Sequence, residues 1–243
     1  MKQNLYDYLA GNEYPGRGIC IGKTRGGNKA MIAYFIMGRS VNSRNRVFDR
    51  IEGGIRTLAA DPSKMTDPHL IIYNPVLSLD NTTIVTNGDQ TNTIRDFIAR
   101  NDFPGFGFEA ALLTRTFEDD GPNWTPRISG VVDMRTGGYK ISILKSCDGN
   151  EKSVQRFTFD YSQPSAGEGH FISTYKCNGT PIPSFAGEPL HVAMDEEDPD
   201  QYAAKLWKAL NEDNKVSLFV RAIDLSTRAY KDVIINKYKT VEE

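Results

Sequence analysis

Apolar and β-branched residues in the first third of the chain come in short runs broken by glycine, asparagine and proline. Gly16 to Thr24 and Lys29 to Met37 are two such runs, and Arg25-Gly26-Gly27-Asn28 between them is a hairpin turn. Ile51 to Leu58, Leu70 to Leu77 and Thr82 to Thr86 read as further strands. The period then changes. Ile94, Phe97 and Ile98 recur at helical spacing, and Phe108, Ala111 and Leu112 do so after Gly105 and Gly107. Two short helices are predicted between about 91 and 116. Strands return at Ile128 to Met134 and Tyr139 to Leu144, joined by Thr136-Gly137-Gly138. Others fall near Arg156 to Phe159, Phe171 to Tyr175, Ser217 to Ile223 and Val233 to Tyr238. Asp198-Pro199-Asp200-Gln201 supplies a helix start, and Leu206, Trp207 and Leu210 its apolar face. Strand blocks with helices in separate clusters predict an α+β chain with mainly antiparallel sheets. The helices would cover the outer faces of two sheets stacked on each other. With no repeat and no low-complexity linker, residues 1–243 read as one domain.

Composition excludes more than it suggests. Lys and Arg number 29 against 31 Asp and Glu, a net charge of −2. That balance lacks the basic footprint of a nucleic-acid binder, and no apolar run nears the ~18–20 residues of a membrane helix. The start, Met1-Lys2-Gln3-Asn4-Leu5-Tyr6-Asp7, has no apolar signal segment. The three cysteines (Cys20, Cys147, Cys177) are odd in number and form no C-x-x-C. Both features predict a cytoplasmic chain with free thiols. Nothing here opposes self-association into a homo-oligomer.

Most candidate motifs fail on context. Gly22-Lys23-Thr24 has the tail of a phosphate-binding P-loop, but Arg17 stands where that motif needs glycine, and a turn and strand follow instead of a helix. His69, His170 and His191 are far apart in sequence, and no His or Cys pair has zinc-site spacing, so no metal site is expected. Glu118-Asp119-Asp120 offers ligands for a hard cation but reads more simply as a solvated loop. Asp195-Glu196-Glu197-Asp198 reads the same way at a helix N-terminus, and Trp207 reads as core. Cys20 has the chemistry of a nucleophile, yet it sits inside an apolar strand, where cysteine acts as a small hydrophobe.

Three polar segments stand out. Arg39-Ser40-Val41-Asn42-Ser43-Arg44-Asn45-Arg46 follows a strand, and its forked arginine donors suit phosphate. A solvated basic loop is the alternative. Ile72-Tyr73-Asn74-Pro75 leaves a phenol and an amide at a strand end. Glu118-Asp119-Asp120-Gly121-Pro122-Asn123-Trp124-Thr125-Pro126-Arg127 is a turn-rich stretch entering another strand. Such loops are frequent functional positions. Neither of the last two segments has a spacing that specifies a reaction.

Taken in order, these segments resemble the archaeal-type inosine monophosphate (IMP) cyclohydrolase family. The likeness begins at Gly16-Arg17 and runs through Arg39-Ser40, Asn45-Arg46, Tyr73-Asn74 and Thr86-Asn87-Gly88. It is strongest at Glu118-Asp119-Asp120 followed by Asn123-Trp124-Thr125-Pro126-Arg127-Ile128, and returns at Phe171-Ile172-Ser173-Thr174-Tyr175. It covers roughly residues 14 to 177. Gln90 stands where the family pattern has His, Trp124 is an insertion, and the arginine loop is about two residues longer.

The resemblance implies a four-layer αββα fold like that of N-terminal-nucleophile hydrolases, without their self-processing chemistry. It implies closure of 5-formamidoimidazole-4-carboxamide ribonucleotide (FAICAR) to IMP and water, the last step of de novo purine synthesis. A purine ribonucleotide is then the partner, and neither metal nor redox cofactor is implied. The matching positions make Arg46, Tyr73 and Glu118 catalytic, with Glu118 or Tyr73 moving protons and Arg46 stabilising an oxyanion or holding substrate. Arg39, Ser40 and Asn87 become candidates for the phosphate or base, and Arg127 a further substrate contact. Two other readings stay open beside it. The altered Asn87-Gly88-Asp89-Gln90 segment and the divergent C-terminal third also suit a hydrolase of another amide, or a silent purine-nucleotide-binding protein.

Overall fold

The computed structural model describes residues 2–65, 68–100 and 106–240, with side chains throughout these except at 69 and 70. Gly105 and the side chain of His69 therefore lie outside the described residues. One sheet orders its six strands as β11 (Leu190–Ala193), β10 (Glu168–Ser173), β1 (Arg17–Lys23), β2 (Lys29–Met37), β12 (Lys215–Asp224) and β13 (Tyr230–Asn236). The other runs in plain sequence order through seven strands. These are β3 (Val47–Ile51), β4 (Gly54–Leu58), β5 (Val76–Leu79), β6 (Thr82–Thr86), β7 (Arg127–Asp133), β8 (Tyr139–Cys147) and β9 (Asn150–Tyr161). Every strand pairing between neighbours is antiparallel.

Period-two alternation assembles three apolar layers from these strands. Ile19 and Ile21 of β1, with Tyr34 and Ile36 of β2, meet Phe48, Ile55, Val76 and Val85 of the other sheet in the central core. The opposite parity of the first sheet packs Cys20, Phe35 and Phe171 under α1 (Leu5–Ala10) and α6 (Pro199–Ala209), which contribute Leu5, Leu9, Tyr202 and Leu206. On the second sheet, Ile84 and Leu144 lie beneath α4 (Gln90–Arg100) and α5 (Gly107–Leu113) through Ile94, Phe108 and Leu112. The order is helix, sheet, sheet, helix, as the resemblance implies. Asp198 caps α6 by accepting from the Asp200 amide, with Pro199 at the first turn. Trp207 is only partly buried against the outer layer, with the Lys215 ammonium over its ring.

Two expected strands are corrected. Ile51 to Leu58 is interrupted by a turn at Glu52-Gly53, where Gly53 adopts φ +72°, so it ends β3 and supplies β4. Leu70 to Leu77 divides into α3 (Pro68–Ile71), a break, and β5. Pro75 has no amide hydrogen to give a ladder, so a strand cannot run through it from both neighbours. The strand near Arg156 extends over the whole of β9, and α1 and β11 were not expected.

Candidate active site

Both sheets end in loops at one mouth of the sandwich. β1 and β12 begin there, β2 and β10 finish there, and β3, β5 and β7 of the second sheet begin opposite them. Polar side chains replace the aliphatic ones at this mouth. Arg17, the first residue of β1, shares the parity of Ile19 and Ile21, so it projects between the sheets. Its Nη2 lies 3.9 Å from Glu118 Oε2, with side chains only 11% and 8% exposed. Tyr34 of β2 meets Tyr73 across the gap, their hydroxyls 2.9 Å apart.

Local structure fixes each group. The Tyr73 amide donates to Thr57 Oγ1 at 3.0 Å and its carbonyl accepts from the Thr57 amide at 2.9 Å, so β4 sets the height of the phenol. Arg46 directly precedes β3, and its carbonyl lies 3.5 Å from the Ser217 hydroxyl of β12. The Glu118 amide donates to the Thr125 carbonyl at 2.9 Å, which closes the acidic loop upon itself. Within that loop the three carboxylates separate. Glu118 is buried, Asp119 is exposed, and Asp120 accepts from the Thr125 amide and hydroxyl. The inserted Trp124 takes φ +44° and packs edge-on against Phe117. That left-handed residue absorbs the extra length while Thr125 still reaches Tyr175 Oη at 2.6 Å. Because Thr125 spends its one hydroxyl proton on the Asp120 carboxylate, Tyr175 donates to Thr125. Gly16 makes room here: with φ +79°, a Cβ on it would lie 2.3 Å from Thr174 Oγ1 and 2.5 Å from the Tyr175 ring.

The electrostatics of the cluster are those of buried opposite charges. Burial pushes the Glu118 carboxyl above its ordinary value, and the guanidinium groups of Arg17 and Arg127 only partly offset this. Burial and the neighbouring charge of Arg17 lower Arg46. Burial works against the charge of Arg17 as well, but the Glu118 carboxylate together with Tyr175, Tyr73 and Tyr34 outweighs it, so the guanidinium holds its proton more firmly. Burial raises Tyr34 strongly and pushes Tyr175 up to about 12. Three nitrogens of the two arginines, Arg17 Nε and Arg46 Nε and Nη1, are buried without an acceptor among the described residues.

Of the residues singled out in the sequence, Arg46, Tyr73 and Glu118 come together in this cluster. The others lie at its margin and are engaged elsewhere. Arg39 is exposed; it donates to the Asn178 side chain and lies 5.0 Å above Tyr14, which stacks on Tyr175. Ser40 caps α2 (Val41–Arg44) in a reciprocal pair with Ser43. Asn87 is 1% exposed and its side-chain amide is engaged: it donates to the Pro126 carbonyl and accepts from the Ile128 amide and Gln90. Arg127 is held by Asp89 at 2.7 Å and by Gln90 Oε1 at 2.8 Å. The cluster members not assigned from sequence are Arg17, Tyr34, Thr125 and Tyr175. The signal for Arg17 was a cation at the first position of an otherwise apolar strand, in the parity of its inward residues.

Cys20 lies outside this mouth. Its side chain faces the α1–α6 layer, with Sγ 3.9 Å from Met194 Sδ, and burial pushes the thiol up to about 12. His170 and His191, distant in sequence, are cross-strand partners whose rings stack at 5.3 Å. Among the described residues no three His, Cys, Asp or Glu side chains are grouped to hold a metal ion. A cavity of about 710 Å³ lies apart from the cluster, beneath α4 and α5, lined by Asp133, Tyr139 and Lys140 among others. No helix among the described residues is long and apolar enough to cross a membrane.

Comparison with known proteins bears on the same segments. Residues 14–228 match the model of a family described as IMP cyclohydrolase-like protein. The IMP cyclohydrolase of Methanococcus aeolicus is 27% identical over 190 residues, covering 77% of this chain and 84% of its own. That of Methanopyrus kandleri is 28% identical over 186 residues, 76% of this chain and 84% of its own. That of Methanosphaera stadtmanae is 28% identical over 165 residues, 68% and 75% respectively.

Proposed function

Since the chain belongs to the IMP cyclohydrolase-like family, we propose that it closes the six-membered ring of FAICAR to form IMP and water. The observation that carries this reading is the meeting of Arg46, Tyr73 and Glu118, from three separated segments, at one buried mouth between the sheets. Nucleophile and electrophile are already in one molecule, so holding them in near-attack geometry supplies much of the rate, up to ~7–11 kcal/mol in well-oriented systems. The carboxamide nitrogen attacks the formyl carbon, a C–N bond forms, and the C=O electron pair moves onto oxygen. The carboxamide nitrogen gives up one hydrogen and the formamide nitrogen another. The formyl oxygen departs with both as water, leaving the ring C=N bond.

In this reading Glu118, whose carboxyl is raised by burial, takes and returns protons, and Tyr73, bonded to Tyr34, serves the same transfers. Arg46 faces the oxygen that gains charge. Arg39 contacts the ribonucleotide from the rim, while Ser40, Asn87 and Arg127 shape the walls that receive it. Residues 1–243 act as one domain, in the cytoplasm, on a free purine ribonucleotide. Purified protein given fresh FAICAR is expected to produce the ultraviolet absorbance of IMP above the uncatalysed rate. Absence of that growth overturns the assignment.

A further inference from the structure

The two buried guanidinium groups at the mouth are not accounted for by the charges around them. Arg17 and Arg46 come from opposite sheets and are joined through one rung. Ile36 pairs with Arg17 on one side and with Ser217 on the other, and the Ser217 hydroxyl lies 3.5 Å from the Arg46 carbonyl. Against two positive charges, the ion pairing among the described residues is the single contact of Arg17 with Glu118. At 3.9 Å that contact is too long for a hydrogen bond, so Glu118 does not consume the donors of Arg17. Arg17 Nε and Arg46 Nε and Nη1 remain buried without an acceptor among the described residues. Unpaired buried charge and unsatisfied donors are costly, and folds retain them where a ligand completes the set.

Resting on the ring-closure reading above, we infer that Arg17 is a further catalytic residue, which with Arg46 forms a two-guanidinium cradle for the negative formyl oxygen. The neighbours decide between this oxygen and the permanent phosphate. The cradle adjoins Glu118 and Tyr73, the groups that exchange protons with the reacting atoms. A phosphate dianion placed there would repel the Glu118 carboxylate, whereas a charge that develops and is then protonated away does not persist beside it. The ground-state carbonyl is neutral, so the cradle binds the transition state more tightly than the substrate. Arg17 then acts on kcat.

The test uses the full chain as wild type, Arg17→Met and Arg17→Lys, each assayed with FAICAR and with the phosphate-free riboside. Arg17→Met is expected to lose about 10²-fold in kcat, the scale of one oxyanion donor, with KM little changed and the same loss on the riboside. Arg17→Lys, which keeps the charge but not the fork, falls between. A second arm needs no turnover. Sodium nitrate, a small planar oxyanion, is expected to raise the melting temperature of wild type above sodium chloride at equal ionic strength, and not that of Arg17→Met. A loss confined to KM for the phosphorylated substrate would make Arg17 a phosphate clamp and overturn the proposal. Equal nitrate stabilisation of wild type and Arg17→Met, or none in either, would also overturn it. Failure of wild type to convert FAICAR strikes the ring-closure reading instead, and the nitrate arm still reports on the cradle.

Discussion

Single side chains divide into those that move protons and those that only fill space. Glu118 sits where burial holds its carboxyl above the ordinary range, and Tyr73 shares a hydrogen bond with Tyr34. Glu118→Gln and Tyr73→Phe keep shape and remove proton exchange, so each is expected to lower kcat by about 10²–10⁴-fold with the fold intact. Steady-state kinetics alongside circular dichroism checks both, and near-normal turnover in the two variants would strip them of the role. Cys20 is the contrasting case. It touches Met194 beneath the helices rather than the mouth, and its thiol is held protonated. Cys20→Ala is expected to retain full kcat and lose only ~1 kcal/mol in a denaturant melt, the scale of one buried methyl-sized group. Intact-mass spectrometry of the active protein is expected to find no species beginning at Cys20.

At the scale of elements, the sequence was legible wherever one face of a strand met a core. The hairpin of β1 and β2, the β7–β8 pair and α6 all carry their turn or cap residues beside an unbroken apolar period. It was illegible where tertiary contacts override that period. β11 is four residues that gain strand form by pairing with β10, and β9, at a sheet edge, has no buried position, its exposed and half-buried residues coming mostly in runs of three. The β10–β11 edge of the other sheet brings distant residues together, as its histidine pair illustrates. His170 accepts or donates at 2.7 Å with Tyr139 Oη, stacks on Tyr161 at 3.7 Å, and faces His191, which meets Glu168. Burial, then the charge of His191, lowers its pKa from 6.5 to about 4. The folded state therefore binds this proton less well than the unfolded chain. The stability held above pH 6.5 is lost as pH falls from there towards about 4. His170→Phe removes that titration, and its melting temperature is expected to vary less over this window than that of wild type.

Across the whole molecule polar side chains bridge the two sheets at the mouth and away from it. Away from the mouth Arg221, fully buried, makes paired bonds of 2.7 and 2.8 Å to Asp232 and reaches Ser78 Oγ of the second sheet at 2.6 Å. Asp232→Asn leaves that charge without its partner, and an unfolding curve is expected to register a loss of about 3–5 kcal/mol. At the mouth a ligand touching both sheets adds to this fastening. IMP at a hundred times its dissociation constant is expected to stabilise the protein by about 2.7 kcal/mol, read as a thermal shift that unrelated amides do not produce. Stabilisation without turnover would instead describe a nucleotide-binding protein. Of the site members to which the sequence reading gave no role, Tyr34 escaped because only this stacking gives its hydroxyl a partner; along the chain it is one more aromatic in an apolar strand. The alternation of β1 carries a last consequence. Positions 17, 19 and 21 look between the sheets, with 17 at the mouth, while 18, 20 and 22 look to the outer layer. A chain cut before Cys20 would present its new amine and thiol to the wrong side of the sheet. A one-residue slip of β1 that turned Cys20 inward would turn Arg17 outward, and a cut before Cys20 would discard Arg17 altogether.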